Sequence, residues 1–159
     1  MKKEKILISS CLLGNNVRYN AKILNKLDLS CLKDKVELIP FCPEVASGLP
    51  IPRLPSEIKN NKVINIKKED WTSYFINGAN LTLKLVKKLN IKYAILKDKS
   101  PSCGVYKIYD GSFQGKLIDG NGFTCKLLKE NNIKVYSENE IEKLIIELKI
   151  SVLKYNSEN

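Results

Sequence analysis

The stretch Lys5-Ile6-Leu7-Ile8-Ser9-Ser10-Cys11-Leu12-Leu13-Gly14 decides the fold. Its short, almost unbroken apolar run has the pattern of a strand buried on both faces of a parallel sheet, and it stops at a cysteine and a glycine-containing loop. Val36-Glu37-Leu38-Ile39-Pro40-Phe41 repeats the arrangement and stops at Cys42-Pro43-Glu44. Tyr93-Ala94-Ile95-Leu96 repeats it again, followed by the loop Lys97-Asp98-Lys99-Ser100-Pro101-Ser102-Cys103-Gly104. Each strand delivers a cysteine just beyond its carboxyl end.

Between and after these strands the spacing predicts helices. Residues 21–29 carry Ile23, Leu24, Leu27 and Leu29 at near-helical intervals, and residues 71–89 place Phe75, Ala79, Leu81, Leu85, Val86 and Leu89 along one stripe. Residues 123–130 begin another helix, residues 134–137 a last strand, and residues 138–153 a closing helix with Ile141, Leu144, Ile145, Leu148 and Val152 on one face. Residues 62–67 read as a strand, and the glycine-punctuated residues 108–122 as a hairpin or two turns. Pro50, Pro52 and Pro55 forbid helix in their segment, which must be an ordered extended loop. Strands alternating with helices imply an α/β protein: one domain over residues 1–155, a three-layer, Rossmann-like parallel sheet, and a frayed tail at 156–159. Such sheets bind ligands outside the carboxyl ends of their strands, where Cys11, Cys42 and Cys103 can meet.

Composition limits the chemistry. The chain has 159 residues, 43% of them hydrophobic and 28% charged, which is the make-up of a single globular domain. Met1-Lys2-Lys3-Glu4-Lys5 enters the first strand without the apolar core of a secretory signal, and no stretch approaches the ~18 apolar residues of a membrane span. A cytoplasmic protein without a membrane partner is expected. The net charge of +10 invites phosphate-rich partners, but only Arg18 and Arg53 are arginine and the lysines are scattered. Histidine is absent, which removes Ser-His-Asp and Cys-His catalysis and every imidazole zinc site.

Five cysteines in such a chain point to metal, cluster or thiol chemistry. Three convergent thiolates would hold a zinc ion with a carboxylate or water as fourth ligand, or a 4Fe-4S cluster with one iron free of protein ligands. Soft thiolates favour the cluster; buried structural thiols remain the plain alternative. Cys31 and Cys125 read as structural. A phosphatase-type loop from Cys11 to Arg18 is one residue too long to close around a phosphate, and no aspartate-proline acid motif accompanies it.

Cys11-Leu12-Leu13-Gly14-Asn15-Asn16-Val17-Arg18-Tyr19, Cys42-Pro43-Glu44-Val45, Gly48-Leu49-Pro50 through Arg53-Leu54-Pro55, Ser100-Pro101-Ser102-Cys103-Gly104 and Ile108-Tyr109-Asp110-Gly111-Ser112-Phe113, in this order, resemble the DUF523 family, which includes thiouracil desulfidases. The resemblance spans nearly the whole chain. It departs from the family at Asn20-Ala21, where Asp-Gly is frequent, and at Cys125, near which alanine is usual.

The resemblance implies a 4Fe-4S cluster on Cys11, Cys42 and Cys103, its open iron binding the sulfur of a thiolated pyrimidine. The implied reaction is a non-redox C–S cleavage of thiouracil or 4-thiouridine monophosphate, in which the iron polarises the thiocarbonyl, water adds and hydrogen sulfide departs. Glu44 is the candidate general acid/base, because a carboxylate beside the cluster is placed to take and return a proton, with an exposed loop glutamate held by Arg53 as the alternative. Ser100 and Ser102 are candidates to bind the pyrimidine or a catalytic water, and both also suit a turn around Pro101. Arg18 and Arg53 are candidates for a nucleotide phosphate, with structural pairing as the alternative. Tyr19 and Lys99 complete the expected substrate-binding set. Thiolated tRNA as substrate, and an iron–sulfur carrier or redox-responsive binding module in place of an enzyme, are the rival readings. Iron–sulfur assembly machinery is the expected partner.

Overall fold

Ile6, Leu7 and Ile8 are fully buried although they point alternately to opposite faces, which requires a layer on each side of their strand. The computed structural model describes residues 3–32 and 34–158, with the side chains of 150–156 and 158 left aside; Met1, Lys2, Lys33 and Asn159 lie outside the described residues. Four strands, β1 (Glu4–Ser9), β2 (Val36–Phe41), β5 (Tyr93–Leu96) and β8 (Lys134–Ser137), form an all-parallel sheet in the order β2-β1-β5-β8. Pro40 is tolerated because β2 is an edge strand. The three-layer α/β architecture is as expected.

One face of the sheet presents Ile6, Ile8, Tyr93 and Ile95 to Leu144 and its neighbours on the closing helix α4 (Ile141–Glu158). The other presents Leu7, Ala94 and Leu96 to α2 (Thr72–Lys88) and α3 (Phe123–Glu130), through Val86, Cys125 and Leu128. In α2, Phe75, Ala79, Thr82 and Val86 recur at three- and four-residue steps and are buried, so the helix buries a narrower stripe than expected; Leu81 faces solvent. The buried Thr82 hydroxyl donates to the Gly78 carbonyl at 2.8 Å. Both helices turn back to the sheet through left-handed asparagines, Asn90 and Asn132. In α4, Ile141, Leu144, Ile145 and Leu148 pack as the pattern requires; Val152 lies outside the described side chains.

Residues 21–29 are a correction. They form no regular helix. Ala21 is left-handed, the Lys22 N–H donates to Asn20 Oδ1, and the Leu27 N–H donates to the Leu12 carbonyl at 3.0 Å. These local and tertiary bonds take groups a helix would use, while Leu24, Leu27 and Leu29 still reach the core and Ile23 is left 62% exposed. The strand expected at 62–67 ends at Asn65; it is β4 (Lys62–Asn65), paired antiparallel with β3 (Ser56–Lys59) outside the main sheet. β6 (Lys107–Tyr109) and β7 (Leu117–Asp119) form a second antiparallel pair, the expected hairpin.

Candidate functional site

The chain leaves β1 towards β2 on one side and later enters β5 on the other, so a topological switch lies between β1 and β5. At the carboxyl ends of these strands is a cavity of about 390 Å³, bordered by Cys11, Cys42 and Cys103. It also touches every other residue of the expected site: Arg18, Tyr19, Glu44, Arg53, Lys99, Ser100 and Ser102. Cys31 is exposed elsewhere, and Cys125 is buried in the core between α3 and the sheet.

Each thiol is fixed by a different device. Cys11 sits in the 3-10 turn Ser10–Leu13 that follows β1. Cys42 is the N-cap residue of the short helix α1 (Pro43–Ala46), and its thiol lies 4.0 Å from the Val17 carbonyl oxygen. Gly78 of α2 lets this turn settle, because a Cβ there would stand 2.4 Å from the Pro43 oxygen. Cys103 lies in a turn whose carbonyls serve as acceptors for the start of α3: Phe123 N–H donates to Pro101 at 2.9 Å and Thr124 N–H to Ser102 at 2.9 Å. A side chain at Gly122 would drive into the Ser102 carbonyl at 2.4 Å.

Burial pushes the Cys11 thiol up to about 11, and the neighbouring Cys42 adds to this while Lys97 and Arg18 oppose it. Burial likewise raises Cys42 and Cys103, and Cys103 lies close enough to both other sulfurs for them to raise it further. The thiols are therefore neutral until positive charge arrives between them. Among the described residues no group of three or more Cys, Asp or Glu side chains is placed to hold a metal ion, and the three thiols border the cavity as soft donors. That donor set, with no imidazole in the chain, fits a polynuclear iron–sulfur group, where each thiolate takes its own iron.

Glu44 occupies the centre of a polar chain. Its Oε1 accepts Arg53 Nε at 3.2 Å, and its Oε2 accepts the Ser102 hydroxyl at 2.6 Å. Ser102 Oγ is 3.2 Å from Ser100 Oγ, which accepts the Cys103 N–H at 2.7 Å. Arg53 is only 3% exposed, and its other two nitrogens donate to the Pro50 and Val17 carbonyls at 3.1 and 2.9 Å. All three of its nitrogens are thus engaged with the protein, on the ordered proline loop. Arg18 is half-buried at the cavity, and its side chain makes no hydrogen bond or ion pair among the described residues. Tyr19 and Lys99 are exposed at the rim.

Sequence reasoning missed the residues that hold the cysteine loop in place. Asp98 Oδ1 accepts the N–H groups of Lys99, Val105, Tyr106 and Lys107 at 2.8–3.2 Å, closing the loop that carries Cys103. Glu138 takes the Asp98 N–H at 2.9 Å and pairs with Lys97 Nζ at 2.9 Å. An Asp two residues beyond β5 in a Ser-Pro-Ser loop is a turn-forming signal; Lys99 is its neighbour, while Val105, Tyr106 and Lys107 lie seven to nine residues further along the chain.

The chain is 38% identical to YbbK of Bacillus subtilis (strain 168), described as uncharacterized, over 150 residues that cover 88% of this chain and 99% of YbbK. The solved structure of the 4Fe-4S-dependent thiouracil desulfidase TudS is 41% identical and superposes with a TM-score of 0.87, covering 93% of this chain and 99% of that one. Residues 6–140, which carry all three cavity cysteines and the Glu44–Ser102 contact, match the 2-thiouracil desulfurase family, and the chain belongs to that family.

Proposed function

We propose that this chain is a 4Fe-4S-dependent desulfidase that converts a thiolated pyrimidine, as base or nucleotide, and water into the uracil form and hydrogen sulfide. The observation that carries this reading is the placement of three soft thiols and a hydrogen-bonded carboxylate–hydroxyl pair around one cavity. Its volume, about 390 Å³, is that of a small-molecule site, which favours a base or nucleotide over thiolated tRNA.

Cys11, Cys42 and Cys103 would hold the cluster, loaded by iron–sulfur assembly machinery. When bound, the cluster supplies a Lewis-acidic iron that attracts the thiocarbonyl sulfur. Glu44 takes one proton from water as the water oxygen bonds to the thiocarbonyl carbon and returns it to the sulfur as the C–S bond breaks; the other water proton leaves the added hydroxyl as it becomes the uracil carbonyl, so that hydrogen sulfide departs. No electron donor is consumed. Arg53 acts as a positioning residue, because its Nε fixes one carboxylate oxygen and leaves the other to Ser102. Ser102 and Ser100 orient the water or the pyrimidine edge. Arg18 is the group available for a phosphate, with Tyr19 and Lys99 at the rim.

The test is turnover by anaerobically prepared protein. 4-Thiouridine monophosphate should lose its near-ultraviolet thione absorbance and release one equivalent of sulfide per product without an added reductant. An absolute requirement for a reductant would contradict the mechanism.

A further inference from the structure

One side of the cavity carries no thiol: there β3 and the β6–β7 hairpin contribute Ser56, Glu57, Tyr109 and Gly115. Glu57 joins the two elements, because its Oε1 accepts the Gly111 N–H at 3.0 Å and the Phe113 N–H at 3.1 Å. The turn is seated closely on β3: Gly111 has a φ of +92°, and a Cβ on it would stand 2.6 Å from Lys59 Cβ. Two backbone donors on one oxygen set the orientation of the carboxylate. Its Oε2 makes no hydrogen bond or ion pair among the described residues, so a half-buried acceptor is left over on the cavity wall. The segment that carries it begins at Arg53, whose N–H donates to the Tyr19 carbonyl at 2.7 Å, so Glu57 and Arg18 reach the cavity from adjoining segments.

An ionised carboxylate oxygen only accepts, and a thiolated nucleotide offers two kinds of donor, the ring N–H and the sugar hydroxyls. The ring N–H flanks the thiocarbonyl carbon and goes with it to the thiols and Glu44. The hydroxyls lie between the ring and the phosphate. We propose that Glu57 is a specificity-determining residue of the desulfidase site, whose Oε2 accepts a ribose hydroxyl and so selects a thiolated ribonucleotide over its deoxy analogues. The inference rests on the desulfidase reading above and narrows its substrate from base or nucleotide to ribonucleotide. Glu57 takes no part in the proton transfers; it acts on binding, from the side of the cavity that the thiols do not reach.

The experiment measures kcat and KM of cluster-loaded wild type, Glu57→Gln and Glu57→Ala for 4-thiouridine monophosphate, its 2′-deoxy and 3′-deoxy analogues and 4-thiouracil. Calorimetry gives Kd for uridine monophosphate and its two deoxy forms on the same proteins. Wild type should prefer the ribonucleotide over at least one deoxy analogue by about 10- to 100-fold in KM and in Kd, the value of a hydrogen bond to a charged group, with kcat little changed. Glu57→Gln keeps a carbonyl for the Gly111 and Phe113 N–H groups but loses the charge, and should reduce that preference to roughly a few-fold. Glu57→Ala should abolish it, and both variants should keep wild-type kinetics on 4-thiouracil. The comparison of analogues on wild type stands even if a variant does not fold. Equal KM and Kd for all three nucleotides on wild type, or a full preference retained in Glu57→Ala, would overturn the assignment. Equal losses on nucleotide and free base would overturn it too, since a role confined to holding the turn predicts them. A wild type that binds with the ribose preference yet turns over none of the substrates would instead contradict the desulfidase reading and support the Glu57 contact.

Discussion

The Ser102 hydroxyl donates to Glu44 Oε2 over 2.6 Å, joining two cysteine loops that lie 58 residues apart in sequence. Ser102 precedes Cys103 and Glu44 follows Cys42, so the contact ties the proton-handling groups to the thiols they are meant to serve. Arg53 completes the arrangement from the proline loop.

Glu44→Gln is expected to keep the cluster, because the amide retains the shape of the carboxyl and no thiol is touched. Turnover should fall by about 10²–10⁴-fold, the usual contribution of a general acid/base. Iron quantification together with initial rates checks this. Wild-type turnover in the fully loaded variant would remove Glu44 from the chemistry.

The cysteines divide into two sets. Cys103→Ala should lose both iron and activity, since one of only three thiols at the cavity is gone. Cys31→Ala should keep iron and activity at wild-type levels because Cys31 is exposed and distant from the cavity. Cys125→Ala should also keep its iron, with a modest loss of thermal stability from core packing. A large loss of iron in either of the latter two would contradict the ligand assignment.

Arg18→Ala should raise KM for 4-thiouridine monophosphate by about 10- to 100-fold, the value of a charge-assisted bond or two, while leaving KM for the free thiouracil base nearly unchanged. Steady-state kinetics on both substrates separate the effects. Equal losses on both would place Arg18 in the architecture of the site instead of at a phosphate.

Acid stability reports on the Cys103 loop. Burial pushes the Asp98 carboxyl up, but the N–H groups of Tyr106, Lys107, Val105 and Lys99 outweigh it and hold the carboxyl below its ordinary value of 3.8. A depressed carboxyl contributes stability that is present above the unfolded value and is lost as pH falls through the folded one. Asp98→Asn should therefore lower the urea midpoint at pH 6, and the gap to wild type should narrow below pH 3.8. A gap that stays constant from pH 6 to pH 3 would show that the charge of Asp98 is not what closes the loop.

The parallel sheet and the cavity were legible because they rest on local patterns. An apolar run ending in cysteine occurs at Cys11 and Cys42, and the loop after β5 brings Cys103 to the same edge. α3 and β8 match their sequence patterns residue for residue. Residues 21–29 were misread because an apolar spacing near 3.6 needs only a surface to dock on, and Leu24, Leu27 and Leu29 meet the sheet without a helix. The hydrogen bonds of Asp98 and Glu138 were not legible, whereas pairing of Arg53 with a loop carboxylate or carbonyl was one of the two readings the sequence offered. Glu138 joins groups brought together only by the sheet order, and Asp98 bonds across a turn whose course no local pattern announces.

The most direct test of the central claim is to purify the protein anaerobically, quantify iron, acid-labile sulfide and zinc on one sample, and add 4-thiouridine monophosphate to that same sample. The account predicts about four irons and four sulfides per chain, as a 4Fe-4S cluster requires, with loss of thione absorbance and release of sulfide. Stoichiometric zinc, or a fully loaded cluster that turns over neither the nucleotide nor the free base, would contradict it.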